Sequence, residues 1–248
     1  ILRELTESVR PHSEPLRHAF EALVTIDALL ARARYALHVN GHRPEVAPGG
    51  PLRIIHARHP LLLETTLDVV PFDLELEEGE RTMLVSGPNT GGKTVLLKAI
   101  GLLSALTQAG VIAPVGSGTR LPLFADIFAD IGDEQSIAAS LSTFSAHLAN
   151  AREILEGAGP GTLVLMDEMG TGTDPAEGAA LARAILETLV ERGARALVTS
   201  HLGAMKRLDA EGSGIVNASL LFDAERIAPT YRFRKGRPGR SYGLAMAR

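Results

Sequence analysis

No cysteine occurs in the 248 residues. That removes disulfides, thiolate zinc sites and cysteine nucleophiles together, and it fits a cytosolic setting. No apolar run approaches the ~20 residues that a bilayer-spanning helix needs. The opening Ile1-Leu2-Arg3-Glu4 mixes polar with apolar residues from the start, unlike a signal peptide. A soluble, cytoplasmic chain with no membrane partner is therefore expected. Internal repeats and low-complexity tracts are also missing. A net charge of −4 excludes a wholly basic nucleic-acid binder. Acid is lacking only locally: Arg226, Arg232, Arg234, Lys235, Arg237, Arg240 and Arg248 follow one another with none between them. That stretch reads either as a solvated edge strand and tail or as a contact with a partner or with phosphates.

What is present is ordinary globular composition, 45% hydrophobic and 22% charged, on a chain longer than a typical single domain. The start at Ile1 rather than Met reads as a piece of something longer. Residues 14–38 read as one amphipathic helix, with Leu16, Phe20, Leu23, Val24, Leu30 and Leu37 at three- and four-residue spacing, Ser13 as cap and Asn40-Gly41 as stop. His42–Pro51, rich in Pro and Gly, reads as a linker. The expected division is therefore 1–50, a helical segment and linker from a neighbouring domain, and 51–248, a domain of its own. In the second part, 52–58, 67–76 and 82–86 read as strands, followed by a helix from Lys93 to about Ala109. A helix near 143–156, a strand 162–166, a helix 175–191 and a strand 195–199 follow. This alternation predicts an α/β fold whose mostly parallel sheet is covered by helices on both faces.

The strongest chemical signal is Gly87-Pro88-Asn89-Thr90-Gly91-Gly92-Lys93-Thr94, placed between an apolar strand and a helix. Glycines at these positions let backbone N–H groups turn inward around phosphates, and the helix N-terminus adds a favourable dipole. Lys93 would reach the β- and γ-phosphates of ATP, and the Thr94 hydroxyl would bind Mg²⁺. Downstream, Leu163-Val-Leu-Met-Asp167-Glu168 delivers two acids at a strand end. Alone this could be a solvated turn. Paired with the loop, Asp167 belongs beside Mg²⁺ and Glu168 acts as general base toward the attacking water. His201, after the strand ending in Thr199, reads as a γ-phosphate sensor rather than as the base. Ser140–His147 opens a helix, and its hydroxyls either cap that helix or offer an anion site.

Taken together, these motifs resemble the ATPase domain of the MutS family, within the ABC-type class of P-loop enzymes. The loop Gly-Pro-Asn-x-Gly-Gly-Lys-Thr, Ser142-Thr143-Phe144, Arg58-His59-Pro60 and Asp167-Glu168-Met-Gly-Thr-Gly-Thr173-Asp-Pro175 carry the resemblance. It is closer to the second bacterial branch, which suppresses recombination, than to the mismatch-repair branch. The pointers are Ile131-Gly-Asp133-Glu-Gln135-Ser-Ile137, Gly172-Thr173-Asp174-Pro175-Ala-Glu177-Gly178, Pro229-Thr-Tyr231-Arg232 and Gly236-x-Pro238-Gly239-Arg-Ser241. His147 stands where repair-type proteins usually carry Glu, and Leu202 where an aromatic commonly follows the His. The resemblance implies a homodimer closed by ATP, with Ser142 and Thr143 of one subunit completing the other's phosphate site and with 170–175 at the interface. It also implies clamp domains that engage branched DNA or collided ribosomes, and a Smr domain that carries nuclease activity, none of them in these residues. This piece is thus expected to show no tight structure-selective DNA binding of its own. Other ABC-type classes, the transporter subunits and chromosome-maintenance proteins, carry a Leu-Ser-Gly-Gly string that does not occur here. A module that binds nucleotide only to dimerise would have no use for Glu168.

Overall fold

A computed structural model of the chain describes residues 1–66, 68–132, 140–223, 225–226 and 228–238, with Asn89, 140–144 and Ala146 described in their backbone alone. Part of the stretches that carry the resemblance, Asp133 to Ile137 and Gly239 to Ser241, lies outside the described residues.

The centre of the molecule follows from three apolar runs, β4 (Thr82–Ser86), β7 (Thr162–Met166) and β8 (Arg195–Thr199). Strands buried on both faces read as near-continuous apolar runs, and β4 and β7 are buried at every position. With β6 (Asp126–Asp130), β9 (Ile215–Asp223) and β10 (Ala228–Lys235) they form a sheet ordered β10-β9-β4-β8-β7-β6. Every pairing in it is parallel except that of β10 with β9 at the edge. The expectation of a mostly parallel sheet flanked by helices is borne out.

Alternation along the strands divides the core. Met83, Val85, Leu163, Leu165 and Leu197 face α3 (Lys93–Gln108) through Leu97, Ile100 and Leu103. The same core is shared by a second sheet ordered β1-β5-β2-β3, made of β1 (Glu45–Pro48), β5 (Arg120–Leu123), β2 (Leu52–Ala57) and β3 (Phe72–Leu76). Leu84, Val164, Ala196 and Val198 point the other way, onto α4 (Ser140–Gly157) and α5 (Pro175–Glu191). Helix α5 starts where it does because the Asp174 carboxylate accepts the N–H groups of Ala176 and Glu177 at 2.9 and 3.3 Å and Pro175 takes the first helical position.

Outside the sheet centre the structure differs in detail from the sequence reading. The stretch 42–51 contains β1, which runs parallel to β5. The strand read from 67 begins at Phe72, directly after Pro71, which has no N–H for a ladder. At the N-terminus, α1 (Leu2–Val9) leads through a short 3₁₀ turn into α2 (Ser13–His38). Ser13 does not cap that helix: it is already the first helical residue, and His12 stands at the N-cap without a side-chain capping bond. Leu16, Phe20, Leu23, Val24 and Leu30 of α2 are all exposed. Only its last turn docks: Ala36 and Val39 are buried, and the Arg58 guanidinium donates to the Val39 carbonyl at 2.7 Å.

Candidate functional site

The loop 87–94 leaves the C-terminal end of β4 and feeds α3. Gly87 (φ 151°) and Gly92 (φ 89°) hold backbone angles that side chains rarely adopt, and Gly92 caps α3. A 16-residue helix thus starts at the loop, and no side chain caps its N-terminus. Lys93 is 2% exposed, and its ammonium donates to the Gly87 carbonyl at 2.8 Å. Burial pulls its pKa below the usual lysine value, and the nearby charges of Glu168 and Asp167 oppose that pull. Thr90 is exposed, and the side chain of Asn89 lies outside the described residues.

The acids arrive from β7, which is separated from β4 in the sheet by β8. Asp167 is buried, and its N–H donates to the Asp130 carbonyl at 2.9 Å. The Thr94 hydroxyl donates to one oxygen of its carboxylate, and the Thr199 hydroxyl donates to the other. Glu168 follows with φ 50°, a left-handed conformation that costs a non-glycine residue about 1–2 kcal/mol. Its N–H is held at 2.8 Å by the Thr199 hydroxyl oxygen. Further along, Met169 N–H donates to the Thr199 carbonyl at 2.9 Å and the Ser200 hydroxyl to the Met169 carbonyl at 3.1 Å. The ends of β7 and β8 are zipped together in this way, and His201 emerges exposed from that junction.

The loop after the acids is pressed onto α5. A Cβ at Gly178 would stand 2.2 Å from the Gly170 carbonyl oxygen, so nothing larger than glycine fits without moving the loop. Gly178→Ala should therefore destabilise the fold by about 2 kcal/mol, read as a lowered midpoint in urea unfolding. An unchanged midpoint would show that the loop yields freely.

Two further groups near the site were named in the sequence without a role. Tyr231 stands at the register shift between β10 and β9 with φ 55°, and its ring comes within 3.1 Å of where a Cβ would stand at Gly92. Together with His59, Val69, Val70, Val95 and Leu96 it lines a cavity of about 360 Å³ beside the loop glycines. Burial pushes the His59 pKa below the usual histidine value, with the Lys98 charge adding to it, which keeps the ring neutral near pH 7. On the far side of Asp167, the Asp130 carboxylate receives His147 Nδ1 at 2.7 Å and Asn150 Nδ2 at 2.9 Å, both from α4. Ser142 and Thr143 fall at the start of α4, and their side chains lie outside the described residues.

Thr199 is the site residue that sequence reasoning missed. A threonine closing a strand reads as β propensity, and its partners at 167 and 168 are distant in sequence.

A strand, a glycine-turned loop, a helix from the loop's end and an acid from a second parallel strand define a P-loop nucleotide-binding fold. The family model described as MutS domain V matches residues 83–248. The chain is 59% identical to the endonuclease MutS2 of Gemmatimonas aurantiaca, over 100% of this chain and 30% of that protein. It is 48% identical to the endonuclease MutS2 of Geobacillus thermodenitrificans and 47% to that of Pelotomaculum thermopropionicum, in each case over 100% of this chain and 31% of the relative. The chain thus spans less than a third of the length of these relatives. It belongs to the MutS family and carries that family's ATPase domain.

Proposed function

We propose that this chain binds ATP with Mg²⁺ and hydrolyses the terminal phosphate, as the switch of a longer DNA-processing protein. The observation that carries the reading is the hydrogen bond from Thr94 to Asp167, which brings together two groups 73 residues apart. Hydroxyl and carboxylate oxygens are the ligands a hard cation selects, and a Mg²⁺ site of this kind draws its other ligands from water and phosphate. The backbone of 87–92 and Lys93 would hold the phosphates, with Thr94 and Asp167 at the metal, Glu168 as base and His201 as sensor. When bound, Mg²⁺ would neutralise charge developing on the transferred phosphoryl group.

The base would occupy the cavity beside Tyr231, where an aromatic face next to the loop suits a flat purine. Calorimetry of Tyr231→Ala tests this. ATP should bind about tenfold more weakly, the loss of one aromatic contact of roughly 1.4 kcal/mol. Inorganic triphosphate, which has no base, should bind as before. Equal weakening of both ligands would place Tyr231 in the loop's support rather than against the base. Mg²⁺-dependent release of phosphate from ATP by the parent chain tests the activity itself, and a chain that binds ATP without turnover would refute it.

ATP is proposed to close a homodimer in which Ser142 and Thr143 of one subunit meet the phosphates held by the other, with 170–175 between the two sites. The helical part of 1–50, up to His38, is proposed to belong to a helical neighbour, and the exposed apolar face of α2 supports that assignment; Glu45–Pro48 pairs with β5 and stays with the second sheet. The relatives are named endonucleases; nuclease chemistry is proposed to lie in a Smr domain, and none of it is assigned to residues 1–248. Branched DNA or ribosomes would be engaged through domains other than this one, with suppression of recombination as the outcome in the whole protein.

A further inference from the structure

The proposal above leaves unexplained how two adjacent acids, which must do different work, are pointed in different directions. Asp167 has to turn its carboxylate toward α3, whereas Glu168 has to leave the strand and present its side chain to the water. One buried hydroxyl touches both residues. Thr199 is the last residue of β8, the strand next to β7, and is fully buried. A threonine hydroxyl has one proton to give and lone pairs to receive. Here the proton goes to Asp167 Oδ1, which leaves Oδ2 toward Thr94. The oxygen accepts the Glu168 N–H at 2.8 Å, fixing the peptide at which the chain enters its left-handed turn. The Met169 N–H is held on the Thr199 carbonyl, so residues 167, 168 and 169 are all referenced to this one position.

We propose that Thr199 is a positioning residue for the ATPase reaction: its hydroxyl sets the metal-facing oxygen of Asp167 and, through the Glu168 N–H, the direction of the general base. This rests on the ATPase reading of the site. The contacts of the Thr199 hydroxyl run to Asp167 and to the Glu168 N–H, so it acts through the two acids. Without the hydroxyl, the Asp167 carboxylate can rotate and the Glu168 peptide loses the acceptor that holds its turn. The loop backbone and Lys93 would hold the phosphates, and the bond from Lys93 to the Gly87 carbonyl does not run through Thr199. The consequence is a selective loss of turnover and of Mg²⁺ affinity, with nucleotide affinity kept.

The test compares Thr199→Val, which keeps the shape and removes the hydroxyl, with Thr199→Ser, which keeps the hydroxyl. Turnover at saturating ATP, binding of a fluorescent ATP analogue, the Mg²⁺ concentration at half effect and the thermal midpoint are read for each. Thr199→Val should lose about tenfold or more in kcat and need several-fold more Mg²⁺, with the analogue's Kd within about threefold of the parent. Thr199→Ser should recover kcat to within about threefold. Parent-like turnover and Mg²⁺ demand in Thr199→Val would overturn the proposal. So would a Thr199→Ser variant as impaired as Thr199→Val, which would assign the residue to packing alone. If Thr199→Val does not fold, Thr199→Ala is judged by the same readings. If the parent chain binds the analogue but shows no turnover, the ATPase reading has failed, and the Mg²⁺ dependence of analogue binding still decides on Thr199.

Discussion

Glu168→Gln is expected to bind ATP at least as tightly as the parent chain and to hydrolyse it roughly 10²–10⁴-fold more slowly, the range spanned by a lost general base. The amide keeps the length and shape of the side chain and leaves the backbone bonds of residue 168 to Thr199 untouched. What it removes is the ability to accept a proton from water. It also removes a negative charge close to the place where phosphates would sit, which can only favour the nucleotide. Turnover and binding should therefore part company, as they do when an interaction made in the transition state is deleted. The same variant traps the ATP state, so size-exclusion chromatography with light scattering should show a dimer with ATP and a monomer without it. Hydrolysis at the parent rate would remove Glu168 from the role of base. A monomer under both conditions would set aside the ATP-closed dimer for this chain.

How much of this could be read from the sequence depended on how locally each feature is built. The loop 87–94 and the acids at 167 and 168 were legible because each is a short contiguous string whose function needs the strand before it. The central strands were legible for a related reason. Burial on both faces fills the middles of β4, β7 and β8 with consecutive apolar residues, so no alternation blurs the run. The second sheet was not legible as a sheet. β1 and β5 are four residues each and are joined across more than 70 residues of chain, so neither carries a pattern long enough to stand out. Pro48 and the glycines after it made the same stretch look like a linker, yet a proline at the end of an outer strand leaves the ladder intact. The cavity beside the loop depends on Tyr231, which lies at the shift in register between β10 and β9, and no sequence string encodes that displacement. Thr199 and Asp130 were missed because their partners come from other strands and helices: position in the sheet, not spacing in the chain, gives them their part.

Lys93→Met is expected to move affinity and stability in opposite directions. The ammonium is the strongest positive charge the loop can offer a nucleotide, and a charge-assisted hydrogen bond of this kind is worth about 1.5–3 kcal/mol. ATP affinity measured by calorimetry should fall by up to about 10²-fold as that contact is lost. The nucleotide-free chain pays for keeping the charge. Lys93 is 2% exposed, and its pKa lies below the usual value because burial outweighs the attraction of Glu168 and Asp167. A lysine whose pKa is lowered on folding destabilises the fold wherever it is charged, and the penalty fades as pH rises through the folded pKa toward the ordinary value of 10.5. Methionine keeps an unbranched apolar stem in the same space and has no charge to bury. The nucleotide-free variant should therefore melt a few degrees above the parent near pH 7, with the gap narrowing as pH rises toward 10.5. Added Mg²⁺–ATP should raise the midpoint of the parent more than that of the variant. A variant that melts below the parent at pH 7 would show that the bond from Lys93 to the Gly87 carbonyl holds the loop more strongly than burial opposes it. That result would recast the lysine as part of the loop's own structure and not only as the hand it offers to phosphate.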